Sequence, residues 1–316
     1  MTEPRLSVII PTFDRARLLE RTVDALFAGD AGGLPVCEAI VFNDCSTDYT
    51  EATLRRLQGR HGERLRVFHQ PNLRVAAARN RGMALAHGRL FAFLGDDIIP
   101  DPAFLATHWR RFEGDGCPDR YGAIGRTFFH PEIAATPFRA WINEWGLQFG
   151  FSLIEDPENV PFNFFYTSNL SLAREWLLEE PFDETFPDPA WEDIETAYRL
   201  FQRGLRLVYE PQARLRHDHP TDFRRFAARQ ERAGASAVRF ARKHPELAGF
   251  LGIGHAGPAP LPPRLSRLRR ECLVRALQFL PVSLPGMWEE ALRVHYLRGL
   301  HRAWRAGPVE MERVGS

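Results

Sequence analysis

Short apolar runs recur through the first hundred residues, and each breaks off in a polar cluster. Leu6-Ser7-Val8-Ile9-Ile10 leads into Pro11-Thr12-Phe13-Asp14, Ala39-Ile40-Val41-Phe42 into Asn43-Asp44, and residues 90–94 into Gly95-Asp96-Asp97. Unbroken apolar runs of this length are the pattern of strands buried on both faces, as in a parallel sheet. Helical periodicity fills the gaps between them. Residues 15–28 place Leu18, Leu19, Thr22, Val23 and Leu26 on one face, and the alanine-rich residues 75–87 are expected to end at Gly88. A helix is expected to open at Asp48, with Glu51 completing a capping box, and another at Pro102 with Asp101 as its cap. Residues 65–68 read as a further strand. Strand and helix in alternation mean βαβ units, whose ligands sit beyond the carboxyl ends of the strands. All three polar clusters fall there.

The second half is more mixed. Residues 162–172 read as an aromatic strand, and Asp188-Pro189 as the start of a helix carrying Trp191-Glu192-Asp193. Residues 207–209 and 213–216 read as short strands, the latter ending at His217-Asp218-His219. Residues 221–243 predict a basic helix, 249–263 a Gly- and Pro-rich linker, and 264–280 and 287–304 two further helices. Charge divides the same way. Residues 1–212 hold 22 basic against 31 acidic side chains, residues 213–306 hold 18 against 7, and Lys243 is the only lysine. Such a basic tail is either a set of solvated helix faces or a surface for an anionic membrane or substrate.

Composition removes whole classes. With 44% hydrophobic residues over 316 positions, a wholly disordered chain is excluded. No run approaches the roughly 20 apolar residues of a membrane span, and residues 1–5 show no secretory pattern. The cysteines (Cys37, Cys45, Cys117 and Cys272) are scattered, which suits a reducing, cytoplasmic location. No Walker-type phosphate loop, no Gly-x-Gly-x-x-Gly after the first strand and no Gly-x-Ser-x-Gly elbow occurs.

The chemistry then rests on carboxylates and two histidines. Asp96 and Asp97, adjacent at a buried strand end, repel each other unless a cation or hydroxyls answer them. Side chains alternate along a strand, so one can face a divalent ion while the other faces a different partner such as a ribose. Asp44 ends the neighbouring strand and is placed to accept a hydrogen bond from a base or sugar, unless it closes an Asx-turn. Of Glu192 and Asp193, one aimed into a cleft would serve as a general base. His217 and His219, two apart, offer a metal ligand or a proton carrier.

In order along the chain, these segments resemble the family 2 glycosyltransferases, over roughly residues 6–220. The carriers are Ser7-Val8-Ile9-Ile10-Pro11-Thr12-Phe13-Asp14-Arg15, Asn43-Asp44-Cys45-Ser46-Thr47-Asp48, Ala77-Ala78-Arg79-Asn80-Arg81-Gly82 and Phe93-Leu94-Gly95-Asp96-Asp97. Asn169-Leu170-Ser171, Phe182-Asp183-Glu184, Glu192-Asp193-Ile194-Glu195, Tyr209-Glu210-Pro211 and His217-x-His219-Pro220 follow. The resemblance implies an A-type nucleotide-sugar fold, a Rossmann-like α/β, mostly parallel sheet flanked by helices. It further implies a catalytic domain over residues 1–220 and a basic helical extension over 221–316. Pro11, Thr12, Asp14 and Asp44 would line the base pocket, Arg79 would lie near the nucleotide, and Asp96 would meet the ribose. Asp97 and His217 would hold Mn2+ or Mg2+, with His219 in reserve. Asp193 would be the catalytic base, and Glu192 would orient the acceptor or support the base.

The activity implied is inverting transfer of a sugar from a nucleoside-diphosphate donor, a UDP-sugar, to a saccharide, lipid-linked or other hydroxyl acceptor, as in polysaccharide or glycoconjugate biosynthesis. No nucleic-acid partner is implied. The C-terminal helices would lie on the inner face of a membrane, on the acidic domain, or on a second copy of the chain as a homodimer. Two positions depart from the family pattern: Gly95 stands where an aspartate is usual, and Arg74 where a glycine is common. Rival readings are a non-catalytic nucleotide-sugar-binding protein and a sugar-1-phosphate nucleotidyltransferase; the latter wants a Gly-rich basic loop where this chain has Pro11-Thr12-Phe13-Asp14.

Overall fold

The computed structural model describes residues 5–29, 37–114, 120–131, 133, 136–263, 269, 272–273 and 285–307. The helix expected over 264–280 and Cys117 lie essentially outside them. In chain order the elements are β1 (Leu6–Thr12), α1 (Ala16–Ala28), β2 (Cys37–Asn43), α2 (Thr50–His61), β3 (Leu65–His69), α3 (Arg74–Leu85) and β4 (Leu90–Leu94). Then come β5 (Ile98–Pro100), α4 (Phe104–Gly114), β6 (Tyr121–Phe129), α5 (Pro137–Glu144), β7 (Asn169–Ala173), α6 (Arg174–Glu179), α7 (Glu192–Gln202) and β8 (Arg206–His217). The last are α8 (Phe223–Lys243), β9 (Ile253–Gly254), β10 (Gly257–Pro258) and α9 (Pro285–Ala306).

Eight strands form one sheet in the order β3-β2-β1-β4-β7-β6-β8-β5. Four of its seven pairings are parallel, so the sheet is mixed but mostly parallel. The apolar runs explain its centre. Every residue of β2 and β4 is buried, because strands covered by helices on both faces have no polar side to present. Val8, Ile10, Val41 and Leu94 join Leu19, Val23 and Leu26 of α1, Leu54 and Leu57 of α2, and Phe104 and Trp109 of α4 in one core.

Contacts divide the chain into two compact units. One comprises Met1–Ala135, Arg139–Thr185 and Glu192–Pro220 and contains the sheet; the other comprises Thr136–Phe138, Phe186–Trp191 and Thr221–Ser316. In the second unit, Asp222 caps α8 through the Arg225 N–H, and Phe138 meets Phe223, Phe226 and Trp288 edge-on at 5.6–6.2 Å. No helix among the described residues is long and apolar enough to cross a membrane.

Several local expectations fail for identifiable reasons. α2 begins at Thr50 without a capping box; Asp48 accepts the Thr50 N–H, and Glu51 turns to Arg55 and His69. Helix α3 ends at Leu85, and Gly88 instead lets the chain pass against the backbone of Ser7. Asp101 is no side-chain cap for α4: its carboxylate binds Arg216 across the β5–β8 pair. Residues 162–164 form a short 3-10 turn and only Asn169–Ala173 is strand, because Phe164 and Phe165 bury inward from consecutive positions. Helix α7 starts at Glu192, beyond Asp188-Pro189. The two short strands expected near 207–216 are one strand, β8, with a register shift opposite Gly125 and Arg126. Within the expected linker, β9 and β10 pair as a small antiparallel ribbon, with Leu251 and Ile253 buried.

Candidate active site

β1, β2 and β4 lie side by side and parallel, so their carboxyl ends deliver Thr12, Asp44 and Asp96 to one rim of the sheet. Thr12 Oγ1 donates to Asp96 Oδ2 at 2.8 Å. Burial, and then the charge of Asp97, push the Asp96 carboxyl up to about 7.

Asp97 follows at once and faces a different set of partners. Strand β5 runs antiparallel to β8 with Ile98 opposite His217, and the Asp218 N–H donates to the Asp97 carbonyl at 2.8 Å. That register carries the imidazole to the carboxylate: His217 Nε2 is 3.4 Å from Asp97 Oδ1. On the other oxygen, Arg15 Nη1 donates to Asp97 Oδ2 at 3.0 Å and also meets His219 Nδ1 at 2.9 Å. Burial works against ionisation of Asp97, but the charge and hydrogen bond of His217, then Arg15 and His219, outweigh it and hold the carboxyl well below its usual range.

Gly95 has a local reason. A Cβ at that position would lie 3.1 Å from Ile98 Cδ1 and 3.2 Å from Asp97 Oδ1, so the turn that aims Asp97 at His217 leaves little room for a side chain there.

This donor set fits a hard divalent ion in part. Asp97 Oδ1 and His217 Nε2, 3.4 Å apart, are close enough to share one ion at metal–ligand bonds of about 2.1 Å. Among the described residues no three His, Cys, Asp or Glu side chains converge as a metal site. Further ligands would therefore come from the donor's diphosphate and from water, as is usual for Mg2+.

Two of the four base-pocket candidates, Asp44 and Asp14, each clamp a loop. Asp44 Oδ1 accepts from Gln70 Nε2 at 2.6 Å and the Leu73 N–H at 2.8 Å, and Asp44 Oδ2 accepts the Arg74 N–H at 2.9 Å. It thus caps the start of α3 from another strand, not its own turn. Asp14, exposed and at φ 51°, accepts the Thr47 N–H at 2.6 Å and the Asp48 N–H at 3.2 Å. Pro11 is half-buried in β1, one residue before Thr12.

A separate cluster holds the proposed catalytic pair. Arg79 of α3 extends to α7, where Nη1 donates to Glu192 Oε1 at 2.8 Å; its guanidinium lies 5.3 Å over the Phe182 ring. Asp193 is half-buried and lies 3.5 Å from Thr167 Oγ1. Burial and then the Glu192 charge push its carboxyl up to about 7, against the pull of Arg79. An acid that releases its proton near neutrality, beside a fixed anion, has the character of a general base.

The structure therefore places the Thr12–Asp96 pair next in the chain to Asp97, which meets His217 and, through Arg15, His219, and places the Arg79–Glu192 pair next to Asp193. Arg79, expected beside the nucleotide, is bonded to Glu192. Two participants carry no role in the sequence reading: Arg15, which bridges Asp97 and His219, and Thr167 beside Asp193. A lone basic residue following an acidic strand end was the available signal for Arg15.

Known proteins agree with this architecture. The family described as "Glycosyl transferase family 2" matches residues 7–170. A validoxylamine A glucosyltransferase of Streptomyces hygroscopicus is 32% identical over 270 residues, covering 77% of this chain and 62% of that protein. The chain spans about three fifths of the length of the curated relatives it matches. Among solved structures, a mannosyltransferase from Pyrobaculum calidifontis in complex with GDP-Man and Mn2+ superimposes with a TM-score of 0.66 at 18% identity, covering 98% of this chain and 89% of that one. S. aureus TarS 1-349 in complex with UDP gives a TM-score of 0.55 at 16% identity, covering 96% and 92% of the two chains. These likenesses show the A-type glycosyltransferase fold. With the family match spanning more than half its length, the chain belongs to the family 2 glycosyltransferases.

Proposed function

We propose that this chain transfers a sugar from a nucleoside-diphosphate donor, a UDP-sugar, to an acceptor hydroxyl with inversion at the anomeric carbon. The observation that carries the reading is the pairing of Asp97 with His217 on a rim that also presents Thr12, Asp44 and Asp96. Asp44 Oδ2 has one protein donor and so retains acceptor capacity for the imide N–H of a uracil. Asp96 would meet the ribose hydroxyls, and Thr12, which donates to Asp96, would line the base pocket. Asp97 and His217 would hold Mn2+ or Mg2+. A bound ion of this kind supplies charge to balance the departing nucleoside diphosphate.

The remaining work belongs to the chain's own groups. The guanidinium of Arg15 sets fixed positive charge at the same corner, where negative charge grows on the leaving group. Asp193 accepts the proton of the acceptor hydroxyl as that oxygen attacks from the face opposite the nucleotide. Glu192, anchored by Arg79, keeps the Asp193 carboxylate basic. One displacement of this geometry inverts the anomeric configuration.

The test is thermal stabilisation by a panel of nucleotide sugars, with and without Mn2+, because a ligand of the folded state raises its melting point. UDP-sugars should stabilise the wild-type chain and Asp193→Asn alike, while only the wild type transfers sugar. Stabilisation by no nucleotide sugar would remove this function, and substantial turnover by Asp193→Asn would remove Asp193 from the base role.

A further inference from the structure

Residues 145, 147, 149, 151 and 153 are all apolar, yet they have two fates. Phe149 and Phe151 are buried, while Trp145, Leu147 and Leu153 are 61%, 44% and 51% exposed. The chain reverses tightly to allow this. Gly150 N–H donates to the Asn143 carbonyl at 3.1 Å, Gly146 and Gly150 take φ of 157° and 65°, and Leu147 sits at φ 41°, a conformation costly for a branched residue. Leu153 Cδ1 and the Gly146 Cα lie 3.4 and 3.6 Å from where a Gly150 side chain would begin, so the exposed residues bracket one patch of surface.

The buried end of this loop lies between the two clusters of the active site. The Phe149 ring is 6.3 Å from that of His217, the residue paired with Asp97. Its carbonyl accepts the Tyr166 hydroxyl at 2.6 Å, and the next residue, Thr167, reaches Asp193. One line of contacts thus runs from Asp97 through His217, Phe149, Tyr166 and Thr167 to Asp193. The loop also carries polar groups in fixed positions: Glu144 Oε2 accepts from Arg126 at 3.0 Å and from Ser152 Oγ at 3.0 Å.

We propose that Trp145, with Leu147 and Leu153, is the platform on which a pyranose ring of a saccharide acceptor stacks. The inference rests on the glycosyl-transfer reading, which requires an acceptor at Asp193 without saying what kind. A pyranose has an apolar face of ring C–H groups and a polar edge of hydroxyls. Trp145 follows Glu144 in the chain and Leu153 follows Ser152, so an exposed indole and a bonded set of carboxylate, guanidinium and hydroxyl groups belong to the same loop and could answer both. An alkyl chain would desolvate those polar groups and offer nothing to the donors and acceptors that their internal bonds leave over.

Saturation-transfer NMR on the full chain, with methyl β-glucopyranoside, methyl α-mannopyranoside and methyl N-acetyl-β-glucosaminide as probes, tests it. At least one glycoside should receive saturation at its ring C–H protons. Trp145→Ala should weaken its Kd about tenfold, the size of one aromatic contact, while Trp145→Phe keeps most of the affinity. Melting with and without UDP and Mn2+ checks that both variants fold and keep the nucleotide site. Equal glycoside binding by Trp145→Ala, or no binding of any probe by the wild type, overturns the platform. So does decyl phosphate binding that depends on Trp145 while the glycosides ignore it. Failure of all nucleotide sugars to bind would instead strike the donor reading, leaving the glycoside result to decide the platform alone.

Discussion

Arg79 Nη1 stands 2.8 Å from Glu192 Oε1, both side chains being buried, with Asp193 the next residue along α7. The pair is incompletely satisfied: Arg79 Nε and Glu192 Oε2 are buried and have no hydrogen-bond partner among the described residues. Removing one member of a buried ion pair leaves an uncompensated charge, which costs roughly 3–5 kcal/mol, whereas removing both is far milder. Arg79→Met should therefore lower unfolding stability by about that amount, and Arg79→Met with Glu192→Gln should recover most of it. Urea titration measures both. A double variant no better than Arg79→Met would show that the pair is not the relevant unit.

Asp193 carries a pH signature. Burial first, and then Glu192, raise its carboxyl to about 7, so the rate of transfer should climb as pH rises through that value. Glu192→Gln removes the neighbouring charge and should move this acid limb to lower pH. The sign for stability is opposite. Between the ordinary carboxylate value of 3.8 and about 7 the folded chain holds a proton that the unfolded chain has released, so this group's contribution falls as pH rises through that window. Asp193→Asn should thus melt higher than wild type at pH 8 and lose the advantage near pH 4. A difference in Tm that does not vary with pH would remove the coupling.

The rim of the sheet is legible in the sequence because β1, β2 and β4 are buried on both faces, and strands of that kind announce their ends where polarity returns. The pairing of Asp97 with His217 is not. It depends on Ile98 of β5 facing His217 of β8, and β5 is a strand of three residues, too short to show a period. The Arg79–Glu192 pair spans 113 positions, and no local pattern joins them. Residues 162–165 mislead for another reason: rings at consecutive positions suit a strand by composition, but here they bury one after another around a turn.

Arg74 adopts φ 74°, a left-handed conformation that costs a side-chain-bearing residue about 1–2 kcal/mol. The twist aims the Leu73 and Arg74 N–H groups together at Asp44. Arg74→Gly keeps those donors and relieves the strain, so it should raise stability by about 1 kcal/mol over Arg74→Ala, which trims the side chain but keeps the Cβ. Chemical denaturation of the two variants gives the comparison. Equal stability would mean that the loop already relaxes elsewhere.

In the helical unit, α8 and α9 meet backbone to backbone at two glycines. A Cβ on Gly234 would overlap the Tyr296 carbonyl oxygen, and one on Gly299 the Glu231 carbonyl oxygen. Neither obstacle is a side chain able to swing aside, so either helix must move as a body. Gly234→Ala and Gly299→Ala should each destabilise by roughly 1–3 kcal/mol, the usual range for overpacking. Gly59, inside α2 with nothing within 4 Å of its absent Cβ, is the control; Gly59→Ala should stabilise by about 0.5–1 kcal/mol, the helix preference of alanine over glycine. Both glycines serve one crossing, so the double variant should cost less than the sum of the two, because the helices separated by the first Cβ already have room for the second. Full additivity would mean two independent contacts, and a Gly234→Ala protein as stable as Gly59→Ala would mean that the helices do not touch there in solution.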